Sequence, residues 1–406
     1  MIKKGIFILF CIFFTEIIFA QVASPTSFKN GINNPSTVTL HPFGIFSSRI
    51  NQNFKIRPTK KMDLNFSIAS ANTFLPFVEA YYPEDPVVRE TLSQVVWYDR
   101  RFTFIDQETT PAAYTNIVID AVVKEFRVDF NLQLAKEHEL KVSLRSYLIT
   151  KGKTPSSLLT SDDFLEWFHS NIAGGEDPFG RKFYGLNQVD YKYTDRNGEV
   201  LELNSGDFFV GGIELNYFYY PEFLVNQKRN FFVNFGSHIG INTSKYNPSM
   251  DFGFSGNVIK TLTLKNDNQF NFALGLSILR KNIIDFDTVV ELGNNKYLGS
   301  LEAEVEYTSY TKKKNYHSFG ILYQLQTSYN KKEEADYYKL LGQWSEINAG
   351  WHNGVTTLHQ YLSNWTFVYG YATPKFKIYG YIKEDLDVNN APDLQTSIGV
   401  QFPIGN

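Results

Sequence analysis

Between residues 117 and 147 the chain alternates apolar and polar residues over two strand-length runs joined by a short turn, Ala135-Lys136-Glu137-His138-Glu139. Phe126, Val128, Phe130, Leu132 and Leu134 share one face of the first run, and Arg127, Asp129, Asn131 and Gln133 share the other. In the second run Leu140, Val142 and Leu144 alternate with Lys141, Ser143 and Arg145. Successive side chains of a strand point to opposite faces, so period two over this length predicts a hairpin with one apolar and one polar face. A soluble sandwich with its polar face in water, or a barrel in lipid with its polar face on the lumen, can use such a hairpin.

Composition favours the barrel. The chain has 36 Phe and 25 Tyr, yet its mean hydropathy is slightly negative at −0.26. Lipid-facing barrels combine these properties, because every second strand residue is apolar and aromatic girdles mark both interfaces. Lys3 and Lys4, the apolar run 6–14 and Ile18-Phe19-Ala20 before Gln21 predict a cleaved signal peptide over residues 1–20. Beyond it no run approaches the roughly 18 apolar residues of a helical membrane span. Cleavage would remove Cys11, the only cysteine, and with it any disulfide or thiol nucleophile. Taking Lys3, Lys4 and Glu16 from 39 basic and 42 acidic residues leaves 37 and 41, a formal charge of −4 that argues against a nucleic-acid partner.

Residues 21–406 read as one domain, a transmembrane antiparallel up-and-down β-barrel of about twelve strands. After a weakly patterned lead-in, 21–61, strand patterns fall at 62–71, in the opening hairpin, and at 207–220, 230–241, 252–264, 269–279, 298–310, 316–329, 361–371, 374–384 and 394–402. The connections alternate long and short: 72–113, 135–139, 150–206, 221–229, 242–251, 265–268, 280–297, 311–315, 330–360, 372–373 and 385–393. Outer-membrane barrels have long outer loops and short periplasmic turns, which predicts a Gram-negative outer-membrane location with both termini periplasmic. A soluble sandwich gives no reason for this alternation. Ser161-Asp162-Asp163 caps one short loop helix ending near His169.

Residues 384–393 followed by Ser397-Ile398-Gly399-Val400-Gln401-Phe402 resemble the close of the bacterial family catalogued as domain of unknown function 3187. So do Phe164-Leu165-Glu166-Trp167-Phe168-His169 with Gly174, Gly175 and Arg181, and Asn34-Pro35 and Ala71-Asn72-Thr73-Phe74 nearer the start. The resemblance implies an outer-membrane barrel and no particular chemistry. Phe402 is followed by Pro403-Ile404-Gly405-Asn406, so the C-terminal strand signal expected to engage the barrel-assembly machinery is slightly internal.

The lumen-lining candidates are Arg127, Asp129, Lys141 and Arg145 of the opening hairpin, Glu302, Glu304 and Glu306 of the eighth strand, and Lys375, Lys377 and Lys383 of the eleventh. About half a circumference separates the eighth strand from the second, so an acidic wall would face a basic one across a narrow pore and orient small polar solutes. The competing expectation is that these charges pair and fill a closed barrel, whose loops 72–113 and 150–206 then bind a partner or scaffold an assembly. Loop 150–206 could fold inward as a plug or outward as a surface, with His169 and Arg181 as loop-site candidates. A lipid hydrolase built on His317-Ser318 is disfavoured, because adjacent strand residues point apart. The pair His352 and His359 is a weak metal pattern, and Asp162, Glu166 and His169 on one helical face read as a solvated, capped helix. No cofactor is expected; the expected partners are membrane lipids, the assembly machinery and small polar solutes.

Overall fold

The structure is a computed structural model, describing residues 29–82, 113–153, 159–173, 181–195, 197–311, 315–331, 361–385 and 394–404, with residues 87, 157 and 392 besides. The proposed signal segment, His352, His359 and the glycine cluster 174–180 lie outside the described residues.

The strands are β1 (Met62–Tyr82), β2 (Ala113–Ala135), β3 (His138–Thr150), β4 (Asp190–Thr194), β5 (Val200–Leu203), β6 (Phe208–Tyr219), β7 (Phe231–Asn242), β8 (Ser249–Thr263), β9 (Gln269–Asp285), β10 (Tyr297–Tyr310), β11 (Tyr316–Gln326), β12 (Leu362–Ala372), β13 (Lys377–Glu384) and β14 (Gln395–Ile404). All pair antiparallel in one sheet. β1 pairs with β14 on one side and β2 on the other, Ile68 lying opposite both Ile398 and Phe126, so twelve strands close into a barrel. Closure leaves no edge strand within the ring, as strands surrounded by lipid require. The hairpin β4–β5 stands outside the ring, added to the upper part of β2 through Asn116–Asp120.

Each of the twelve expected strands is present, with several boundaries moved. β1 continues to Tyr82 over a bulge between Leu75 and Val78, so the loop expected at 72–113 narrows to 83–112. β14 continues through Pro403, which pairs with Asp63 at the barrel's end. Short turns gather at one end and long connections at the other. One pair inverts the alternation: connection 220–230 at the turn end is longer than 243–248 at the loop end.

The alternation of sequence becomes an alternation of environment. Ile68, Leu144, Phe254, Leu276, Phe319, Phe367 and Ile398 are exposed on the outside, while Arg127, Asp129, Arg145, Asn257, Glu304 and Thr366 are buried within. A soluble protein shows the reverse. Aromatic residues ring the turn end, where His138 stacks on Tyr217 and Tyr219, and His317 bonds to the Tyr369 hydroxyl at 2.9 Å.

A charge on the outer band should therefore be costly. Ile398→Arg, at a side chain 71 % exposed, is expected to lose about 2–4 kcal/mol of stability if it meets the bilayer midplane. Denaturant titration of the lipid-reconstituted variant measures this, and an unchanged midpoint would place that face out of lipid.

Candidate functional site

The lead-in 29–61 runs up the barrel interior and back down to the start of β1, filling much of the lumen. Its ascending arm begins at the turn end, where Lys29 pairs with Glu306 and Asn33 N donates to the other Glu306 oxygen at 3.2 Å. Asn34 donates to Glu302 at 2.9 Å, Lys383 to Thr37 Oγ1 at 3.2 Å, and Gln395 binds both Val38 N and Thr39 O. The descending arm bonds to Asp251 through Ser48, to Asn234 through the Asn53 and Lys55 carbonyls, and to Glu139 through Lys55 and Thr59 N. Ile32 N donates to Phe54 O at 3.0 Å and ties the two arms. Gly31 makes that crossing possible: its φ is +75°, and a Cβ there would lie 2.0 Å from the Phe54 oxygen. The wall is cut to fit, since a Cβ on inward-facing Gly240, Gly253 or Gly275 would strike Ser48, Ile50 or Gln52 respectively.

At the loop end the plug turns through a short 3-10 segment, Pro42–Phe46, whose first free N–H, that of Phe43, donates to His41 Nδ1 at 3.1 Å. Phe43, Ile45 and Phe46 are buried there among Tyr191, Tyr193 and Leu201 of the β4–β5 hairpin, with Tyr246, Val290 and Leu292 from neighbouring loops. Tyr191 donates to Pro42 O at 2.7 Å, and Phe43 packs on Tyr193 with centroids 4.9 Å apart. An apolar layer thus closes the loop end. At the turn end the same plug leaves a cavity of about 780 Å³ between its arms and the wall, bordered by Asp63, Asp129, Lys141, Lys377 and Tyr316.

The candidate lumen charges are distributed as follows. Arg127 is held by Asp129 at 3.0 Å, by Glu125 at 3.5 Å and by Glu214, a residue of β6 that sequence reasoning did not select. Arg145 reaches Glu214 at 3.2 Å, the Asn242 side chain and the Ile45 carbonyl of the plug. Space for it comes from the bulge at Gly211 and Gly212, where φ at Gly212 is +145°. Lys141 lies 3.5 Å from Asp129. Glu302 and Glu306 are bound by plug residues, and Glu304, between them, has no donor on either oxygen among the described residues. The walls therefore do not confront each other across open space: Arg127, Lys141 and Arg145 meet acids of the wall, and the plug meets Glu302, Glu306 and Lys383. Lys377 donates to Asn33 Oδ1 at 3.0 Å. Lys375 departs from expectation, being exposed in the turn before β13, because Thr373 Oγ1 accepts from Lys375 N and Phe376 N and the strand starts three residues late, at Lys377.

The long loop 150–206 divides. Its second part, the β4–β5 hairpin, packs over the plug tip. Its first part packs on the outer flank of β1 and β2 and carries α1 (Asp162–Phe168), capped by Ser161 Oγ accepting from Phe164 N at 3.2 Å. The expectation of a solvated helix fails for its acidic face: Asp162 and Glu166 are buried against Arg181, Asp162 at 3.2 Å. Arg181 also donates to Asn72 at 2.8 Å, so it holds the loop to β1, and His169 begins the wide turn His169–Ala173 behind the helix. His317 points outward and Ser318 inward, so the two do not meet.

Breaking the buried Lys29–Glu306 contact leaves a carboxylate without its cation, at a cost of about 3–5 kcal/mol. Lys29→Met is expected to speed tryptic cleavage at Arg49 and Lys55 in reconstituted protein at least tenfold. Acid should loosen the plug too. His41 is fully buried and stacked on Tyr329, with centroids 4.3 Å apart, and Lys281 lies over the far ring. Burial, and then the Lys281 charge, hold its pKa well below the ordinary value. A released His41 binds protons below about pH 6.5 and a packed one does not, so retention is full above that pH and weakens as pH falls, by up to ~1.4 kcal/mol per unit. Tryptic cleavage at pH 5.5 should exceed that at 7.5 after correction for trypsin's own pH profile, and His41→Phe should flatten the difference.

No family model matches the chain, and no curated protein matches it. Solved structures resemble it in architecture. An outer-membrane channel of Pseudomonas putida F1 is 8 % identical with a TM-score of 0.39, over 86 % of this chain and 98 % of that one. The NanC porin is 8 % identical with a TM-score of 0.34, over 70 % and 94 %. OprB of Pseudomonas putida is 9 % identical with a TM-score of 0.31, over 84 % and 93 %. At these scores the likeness carries no argument about what this chain does.

Proposed function

We propose that this chain is a Gram-negative outer-membrane barrel that passes small polar solutes when its internal plug is displaced. The observation that carries the reading is the chemistry of the plug's contacts. Along both arms the wall meets it through Glu306, Glu302, Gln395, Lys383, Asp251, Asn234 and Glu139. Water can replace such contacts at small net cost, unlike an apolar core. The turn-end cavity supplies a polar vestibule from which a solute would enter, on the periplasmic side if the short turns lie there. Export through a cleaved signal peptide, assembly through the C-terminal strand and kinship with domain of unknown function 3187 belong to the same proposal; they add location and build, not chemistry.

A second reading is a permanently closed barrel whose outer loops bind a partner, and the apolar seal at Phe43, Phe46, Tyr193 and Leu201 favours it. Planar-bilayer recording separates the two. The full chain is expected to show rare or no openings, and a variant lacking residues 29–56 to conduct steadily. A deletion variant that folds, judged by heat-modifiable migration in SDS gels, and still passes no current would sink the first reading and leave the second.

A further inference from the structure

The outer face of β1 and β2 changes character part-way up. From the turn end the outward cross-strand pairs are Leu64 with Phe130, Phe66 with Val128, and Ile68 with Phe126. The next are Ser70 with Lys124, Asn72 with Val122, and Phe74 with Asp120. Polar and charged groups thus stand on the face that carries apolar side chains below them, and Ser157, Thr160, Asp162 and Arg181 of the long loop cover them. Lys124 donates to Ser70 Oγ at 2.6 Å and to Ser157 Oγ. Asn72 donates to Thr160 O at 2.9 Å and to Asp162 Oδ1 at 2.8 Å, while the Arg181 guanidinium lies 4.4 Å from the Phe74 ring centroid.

This anchoring buries two acids of α1 together with Leu165, and leaves large apolar side chains on and just behind the helix in the open. Asp162 and Glu166 are 4 % exposed, whereas Phe168, Trp167 and Ile172 are 37 %, 52 % and 62 % exposed. A helix on a water-facing flank buries its apolar stripe and shows its acids. Below α1 the barrel's outer belt is apolar, Ile68 and Phe126 being 48 % and 36 % exposed and Phe126 packed on Phe208 of β6.

We propose that the segment carrying α1, residues 159–173, forms a lipid-seated flank: Trp167, Phe168 and Ile172 lie in the headgroup and acyl boundary of the bilayer leaflet at the loop end, beside the barrel's outer belt. Interfacial helices insert their apolar face into that boundary, and tryptophan is enriched there. A bilayer is favoured over a second copy or a foreign protein because the segment is anchored to the outward face of β1 and β2, whose lower part is an apolar surface that already needs lipid. The inference rests on the barrel standing in a membrane.

Trp365 of β12, outward and 38 % exposed, gives the test an internal control. Two single-tryptophan variants, keeping Trp167 or Trp365 with the other four tryptophans changed to Phe, are reconstituted into phosphatidylcholine vesicles with brominated acyl chains. Quenching of Trp167 within about twofold of Trp365 is expected. Quenching of Trp365 with none at Trp167 overturns the flank and leaves the barrel reading standing; no quenching at either overturns both. If the Trp167 variant fails to fold, a nitroxide on Ile172→Cys in the otherwise wild-type chain replaces it. Collision with dissolved oxygen exceeding that with a water-soluble nickel chelate supports the flank, and the opposite order overturns it. Disulfide formation between copies at Trp167→Cys, with quenching absent, would assign the face to a second copy instead.

Discussion

A strand wall in lipid has to satisfy every backbone polar group within itself, and the rest of this molecule follows from that requirement. Closing twelve strands meets it and fixes two surfaces of opposite chemistry. The outside can be apolar without further help. The inside is a different problem, because about eight strands already give a lumen that side chains fill, and twelve give a wider one. Here a piece of the same chain takes up the remainder. Glu302 and Glu306 stand on a strand with no basic residue facing inward beside them, and their partners Asn34 and Lys29 come from the plug. Wall and plug are electrostatically incomplete without each other.

This division explains what the sequence reveals. Strands read clearly because each residue sees one of two environments, and period two records which. The plug sees wall on every side, so residues 29–61 carry no period, and their bonds run largely through backbone groups such as Phe54 O, Asn53 O and Thr39 O. Its traces lie in the wall instead. Gly240, Gly253 and Gly275 leave gaps on the lumen phase opposite Ser48, Ile50 and Gln52. The acidic triad of β10 was legible as a charge excess, but not what would neutralise it. Glu214, which joins Arg127 to Arg145, is the single charged residue of its strand, and only the fold brings it between two arginines.

The outer flank left a trace of the same kind. Lys124 and Asp120 fall on the phase of Phe126, the face read as lipid-facing. A charge on that phase calls for a cover, and the cover turns out to be the loop whose helix looked like an ordinary solvated one. Capping at Ser161 was readable because it is local; the burial of Asp162 was not, because its partner Arg181 is fixed by the packing of the loop on β1.

The two ends of the plug are held by different physics, and this bears on how it can move. At the turn end the contacts are ionic and polar and border a cavity, so water can replace them one at a time. At the loop end Phe43, Ile45 and Phe46 are fully buried in an apolar layer, and exposing an aromatic or aliphatic side chain costs about 1.5–3 kcal/mol each. The arms can therefore loosen while the tip still seals, and the tip becomes the element that decides whether the lumen opens. His41 stands at the entry to that tip, stacked on Tyr329 and tilted against Phe43. Released from the tip it takes up a proton below about pH 6.5, whereas packed there burial and the Lys281 charge hold its pKa well below the ordinary value. On the proposed reading the seal is strongest when His41 is neutral, so the step that governs opening lies at the loop end, although the vestibule lies at the other.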